Sequence, residues 1–82
     1  MSREVMLYTR RVCGLCDETA EELRHLRDEL RFTLTEFNVD ADPALREQYN
    51  DIVPVVTVGG QVIAHAPIDP AELRVALTAA LG

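Results

Sequence analysis

The chain's only two cysteines, Cys13 and Cys16, stand three residues apart in Thr9-Arg10-Arg11-Val12-Cys13-Gly14-Leu15-Cys16-Asp17. On a helix, residues at this spacing lie one turn apart, about 5–6 Å from each other. That is the separation a disulfide requires. The pair follows an apolar run and opens a segment of helical period, so Cys13 is expected at the start of a helix. The unpaired backbone N–H groups and the macrodipole there favour an anion, and cysteines in such places carry lowered pKa values. Arg10 and Arg11 push the Cys13 thiol the same way, while Asp17 and Glu18 oppose them. The balance is a moderately lowered value. The chemistry that follows is thiol–disulfide exchange. Cys13 as thiolate attacks a substrate disulfide and forms a mixed disulfide. Cys16 then attacks the Cys13 sulfur and releases the reduced substrate.

Two other uses of such a pair must be weighed. Two inert buried cysteines would need no such position between strand and helix. A structural zinc site wants four ligands, and one pair supplies two. The available imidazoles are His25 and His65. His25 lies nine residues beyond Cys16 on the same expected helix, roughly 13 Å along its axis at the standard rise, so it cannot share that site and is read as a surface residue. No metal ligands are assigned within the chain. A metal or iron–sulfur cluster bridging two chains through the same cysteines stands as the alternative reading. An inert adaptor that keeps only the fold is a third.

The elements that must position the pair are legible from hydrophobic period. Glu4–Thr9 is a short apolar run of strand length. From about Cys13 to Leu30, Ala20, Leu23, Leu26 or Arg27, and Leu30 fall at helical spacing. Phe32–Val39, rich in β-branched and aromatic residues, reads as a second strand. Asp42-Pro43 supplies an N-cap and a first-turn proline for a short helix to about Tyr49, closed by Asn50-Asp51. Pro54–Val58 and Gln61–Ala64 flank Gly59-Gly60, a two-residue hairpin signal. Asp69-Pro70-Ala71-Glu72 opens a last helix, with Glu72 placed to complete a capping box; Leu73, Ala76 or Leu77, and Ala80 continue it. The order β-α-β-α-β-β-α implies a parallel pair joined by a crossover helix, then an antiparallel hairpin. The expected product is a mixed four-stranded sheet with helices on both faces.

Composition bounds the function. With 82 residues the chain is read as one domain, 1–82, with a thin core. It is 48% hydrophobic and 27% charged, ordinary for a globular protein. The formal charge is −6 and all eight basic residues are arginine, a balance that speaks against nucleic acid as a partner. No stretch is long and apolar enough to read as a membrane span or a secretory signal. A cytoplasmic location is therefore expected, and with it redox rather than structural cysteines.

With Leu7-Tyr8-Thr9-Arg10, Cys13-Gly14-Leu15-Cys16, Asp17 and Val53-Pro54 in view, the sequence resembles the glutaredoxins. It is most similar to a bacterial glutaredoxin-like family with a Cys-x-Leu-Cys motif, and the likeness spans nearly the whole chain. The resemblance implies an α/β fold of thioredoxin-like, glutaredoxin type. It also implies a dithiol disulfide reductase with Cys13 as nucleophile and Cys16 as resolving residue. Val53-Pro54 is expected to be cis, with Pro54 facing the cysteines and the Val53 backbone free to pair with an extended substrate. Arg10 matches the basic residue placed near the glycine carboxylate of glutathione; the alternative is a solvated surface charge. No bound cofactor is implied. Glutathione or another low-molecular-weight thiol is the candidate co-substrate. Expected partners are disulfide-containing proteins or small thiols and a reductase or thiol reductant, acting on a monomer.

The departures from the family are as informative. Gly14-Leu15 replaces Pro-Tyr between the cysteines. The Gly-Gly that holds the γ-glutamyl end of glutathione is replaced by Ala64-His65, whose β-carbons intrude where glycine allows close backbone approach. His65 is expected to face solvent, the alternative being contact with the active site.

Overall fold

The computed structural model describes residues 3–10 and 14–82. The first strand, β1 (Glu4–Thr9), alternates as its sequence requires: Val5 and Leu7 are fully buried on one face, with Met6 and Tyr8 half-buried on the other. Helix α1 (Gly14–Leu30) buries Cys16, Thr19, Ala20, Leu23 and Leu26, one stripe at helical spacing. It ends at Arg31, whose φ of 57° is the left-handed conformation that commonly stops a helix. Arg3 fastens this end. Its guanidinium donates to the carbonyls of Arg31 (2.9 Å), Leu81 (3.1 Å) and Leu30, a cation set where the carbonyl ends of two helices leave negative partial charge.

Strand β2 (Thr33–Asn38) runs parallel to β1 in the register Glu4↔Thr33 to Thr9↔Asn38. It is shorter by one residue at each end than the expected 32–39. Phe32 and Val39 are buried just outside the pairing, at 6% and 0% exposure, which accounts for their apolar character. A single 3₁₀ turn at Val39–Ala41 leads to α2 (Pro43–Tyr49). Asp42 caps α2 as expected, its Oδ1 accepting from the backbone N–H groups of Ala44 and Leu45 at 2.9 and 3.4 Å.

Strands β3 (Val55–Val58) and β4 (Gln61–His65) form the hairpin. Gly59 and Gly60 have φ of +58° and +83°, the positive values a tight two-residue turn demands. A bulge follows, in which Val56↔Ala64 and Thr57↔Val62 leave Ile63 as the extra residue. The sheet order is β2-β1-β3-β4, with β3 antiparallel to β1.

The last helix, α3 (Pro70–Leu81), is capped by Asp69, whose carboxylate accepts from Ala71 N–H at 2.9 Å. The expected return contact from Glu72 does not form, and Glu72 is exposed. An aspartate cap accounts for this: the second carboxylate would be drawn against the first, where a serine or threonine cap would be neutral. Leu73 and Leu77 are buried, and the half-buried Leu81, not Ala80, closes the stripe.

The two faces of the sheet carry separate cores. Val5, Leu7 and Val56 pack with Ala20, Leu23 and Leu26 of α1 and Leu73 and Leu77 of α3. On the opposite face Val39, Tyr49 and Val55 form a smaller cluster with Tyr8, Leu45, Ile52 and Val53, so α2 covers that side. Helices therefore flank both faces, as expected. Among the described residues no helix is long and apolar enough to cross a membrane.

Candidate active site

Every candidate residue that the structure describes sits at one end of the sheet, where β1 gives way to α1 and the chain turns into β3. Cys16 occupies the first turn of α1, only 2% exposed, and is disulfide-bonded. The chain's other cysteine, Cys13, lies outside the described residues, as does Arg11. The assignment of Cys13 as nucleophile therefore rests on the sequence.

Pro54 opens β3 and is fully buried, and the Val53–Pro54 peptide bond is cis, as the resemblance implied. Leu15, the residue just before Cys16, is 57% exposed. Leu15 and Pro54 line one pocket of about 80 Å³ with Glu18, Thr19, Glu22, Ile68, Pro70 and Leu73. Leu15 of the cysteine motif and the cis-proline, far apart in sequence, thus line one recess. Val53 packs on the opposite side of the sheet, in the α2 cluster.

Arg10 is turned toward α2. One guanidinium nitrogen donates to Asn50 Oδ1 at 2.7 Å and another pairs with the Asp40 carboxylate at 3.4 Å. It borders a separate, polar groove with Pro43, Arg46, Glu47, Asn50 and Asp51. His65 is exposed, with Nδ1 2.9 Å from the carbonyl of Ala66. Since a carbonyl can only accept, Nδ1 carries the proton in that contact. His25 is exposed on α1, as expected for a surface residue.

Sequence reasoning missed the segment that closes the recess. The Ala66 N–H is shared between the carbonyls of Ile52 and Pro54, at 3.0 and 3.1 Å. The next peptide bond, Ala66–Pro67, is also cis. Ile68 follows and enters the pocket wall. Nothing local in Ala66-Pro67-Ile68 announces these long-range bonds. The helical wall, which sequence reasoning also did not single out, is one helical face: Leu15, Glu18, Thr19 and Glu22 follow the i, i+3, i+4, i+7 spacing.

A mixed sheet of this order, a cysteine in the first turn of the following helix and a cis-proline opening the third strand define a protein of thioredoxin-like fold. The chain belongs to the glutaredoxin-like domain (DUF836) family, whose model matches residues 4–78. Among curated proteins, Rv0508 of Mycobacterium tuberculosis, described as uncharacterized, is 36% identical over 80 residues, covering 90% of this chain and 82% of the relative. The structural-genomics target protein XcR50 from X. campestris superposes with a TM-score of 0.78 at 34% identity, covering 93% of this chain and 97% of that one. Protein Ne2328 from Nitrosomonas europaea gives 0.72 at 32% identity, with 85% of each chain covered. Thioredoxin 1 from Thermosipho africanus shares the fold, with a TM-score of 0.70 at 12% identity over 93% of this chain and 91% of that one.

Proposed function

We propose that this protein is a dithiol–disulfide oxidoreductase, with Cys13 as nucleophile and Cys16 as resolving thiol. The single observation that carries the reading is Cys16 itself: buried, disulfide-bonded and set in the first turn of α1 beside the recess formed by Leu15 and Pro54. A bond with no task but stability would gain less here than across a longer loop. Closing a loop of so few residues removes less entropy from the unfolded chain. Redox chemistry uses the same bond directly.

The cycle runs between dithiol and disulfide. The Cys13 thiolate attacks one sulfur of a substrate disulfide, and the other leaves as a thiolate that takes a proton. The Cys16 thiol gives up its proton and attacks the Cys13 sulfur of the mixed disulfide, expelling the second substrate thiolate. Two electrons have passed from the protein to the substrate. A low-molecular-weight thiol such as glutathione, or a flavoenzyme reductase, returns the pair to the dithiol. The reaction is assigned to the cytoplasm, where such reductants keep thiols reduced.

The test is a single-turnover reaction of pre-reduced protein with bis(2-hydroxyethyl) disulfide, with protein thiols counted by mass after alkylation. The expected result is loss of both protein thiols together and release of two molecules of 2-mercaptoethanol per chain, well above the uncatalysed rate. Consumption no faster than that of a free cysteine peptide at the same pH would overturn the reading.

A further inference from the structure

The recess at the motif carries a chemical preference. Five of the residues lining it are apolar: Leu15, Pro54, Ile68, Pro70 and Leu73. At about 80 Å³ it is roughly half the ~150 Å³ cavity that accepts a benzene ring. It therefore suits one aliphatic side chain. Its α1 rim is acidic. Glu18 and Glu22 stand four residues apart on the helical face of Leu15, an arrangement unfavourable for two like charges. Among the described residues neither carboxylate has an ion-pair or hydrogen-bond partner. The helix dipole favours an acid in the first turn but fades beyond it, so it does not account for Glu22. From Gly14 to Leu23 the helix carries Asp17, Glu18, Glu21 and Glu22 and no cation. Arg10 does not neutralise this rim, being engaged by Asp40 and Asn50 on the α2 side.

We infer that the recess docks an extended segment of a disulfide-bearing protein, with an aliphatic residue next to the half-cystine and a lysine or arginine against Glu18 and Glu22. This inference rests on the oxidoreductase reading of the same site. The apolar pocket fixes the segment beside the cysteines, and the carboxylates select its charge. An anionic disulfide such as oxidised glutathione meets a repulsive rim there. The transfer itself is the one given above, with both electrons coming from the Cys13/Cys16 dithiol.

The experiment uses pre-reduced protein and short peptides whose single cysteine is in mixed disulfide with 2-mercaptoethanol. Three peptides differ only at two neighbours of that cysteine: leucine with lysine, leucine with glutamate, and glycine with lysine. The lysine–leucine peptide is expected to react about three- to tenfold faster than the glutamate–leucine peptide, the range that one or two exposed charge pairs provide. It is also expected to outpace the glycine–lysine peptide severalfold. In the double variant Glu18→Gln, Glu22→Gln the ratio of the first two rates should fall toward one; a ratio cancels any common change in thiol reactivity. The variant Asp28→Asn, Glu29→Gln, with the same change in net charge at the far end of α1, should keep the ratio. Equal rates on all three peptides, or a ratio that the Asp28/Glu29 variant lowers as much as the Glu18/Glu22 variant does, would overturn the inference while leaving the oxidoreductase reading intact. Failure to reduce any peptide and bis(2-hydroxyethyl) disulfide alike would overturn both.

Discussion

Replacing Cys13 by serine is expected to reduce disulfide turnover to the uncatalysed background, whereas Cys16→Ser should stall the reaction as a mixed disulfide with substrate. The asymmetry follows from where the two residues lie on the chain and from the burial of Cys16. A serine hydroxyl is not appreciably ionised at neutral pH and cannot replace a thiolate attacking sulfur. Cys16 cannot take over that first attack: at 2% exposure its sulfur is out of reach of a bulky disulfide. Its role is instead to attack the mixed disulfide on Cys13, three residues back in the chain, and that is the resolving step. In Cys16→Ser this second step is lost, so each chain should gain the mass of one substrate thiol, released on adding excess low-molecular-weight thiol. Intact mass spectrometry without reductant reads both variants. Equal residual turnover in Cys13→Ser, or mixed disulfides accumulating on Cys13→Ser and not on Cys16→Ser, would reverse the assigned roles.

The largest effect on stability is expected from Leu23→Ala. Leu23 is fully buried at the centre of α1, in the core where that helix packs on Val5, Leu7 and Val56 of the sheet and on Leu73 and Leu77 of α3. Truncating a leucine in such a place costs about 2–5 kcal/mol, part of it for the cavity left behind. A domain of this size has about 4–12 kcal/mol of stability in total, so at least about a sixth of it, and up to all of it, is at stake. At about 4–8 °C per kcal/mol for a small domain, the midpoint of thermal unfolding should fall by ten degrees or more. Leu15→Ala supplies the contrast. Leu15 is 57% exposed on the same helix, and its loss should move the midpoint little while altering the recess. Urea titrations of the two variants measure the difference. A Leu23→Ala cost under about 1 kcal/mol would mean that the α1–sheet core is not packed as described.

Much of this architecture is legible in the residues because each local signal agrees with the fold. Ala20, Leu23 and Leu26 declare the buried face of α1, Asp42-Pro43 starts α2, and Gly59-Gly60 turns the hairpin in the left-handed conformations that glycine adopts freely. What escaped reading depends on partners distant in sequence. Arg10 looks like an anion contact beside the cysteines until the fold brings Asp40 and Asn50 against it. A glutathione carboxylate at Arg10 would have to compete with both. Ala66 looks like loop until the carbonyls of Ile52 and Pro54 are seen to share its N–H. The bulge at Ile63 is hidden because Val62, Ile63 and Ala64 are all apolar, so no alternation betrays the slipped register. At the site the pattern is the same. Cys16 and Pro54 are legible from motif and resemblance, while the recess wall of Leu15, Glu18, Thr19 and Glu22, and Ile68 after β4, take shape only in the fold.

The central claim is that Cys13 and Cys16 form a working redox couple, and its most direct test is the reduction potential of that pair. The protein is equilibrated in graded thiol–disulfide buffers, quenched with an alkylating agent, and its free thiols counted by mass. A single two-electron transition between about −200 and −270 mV, the range of glutaredoxins and thioredoxin, is the expected result. A transition below about −300 mV would mark a structural bond too stable to cycle. Such a value, or the absence of any intramolecular disulfide, would contradict the account.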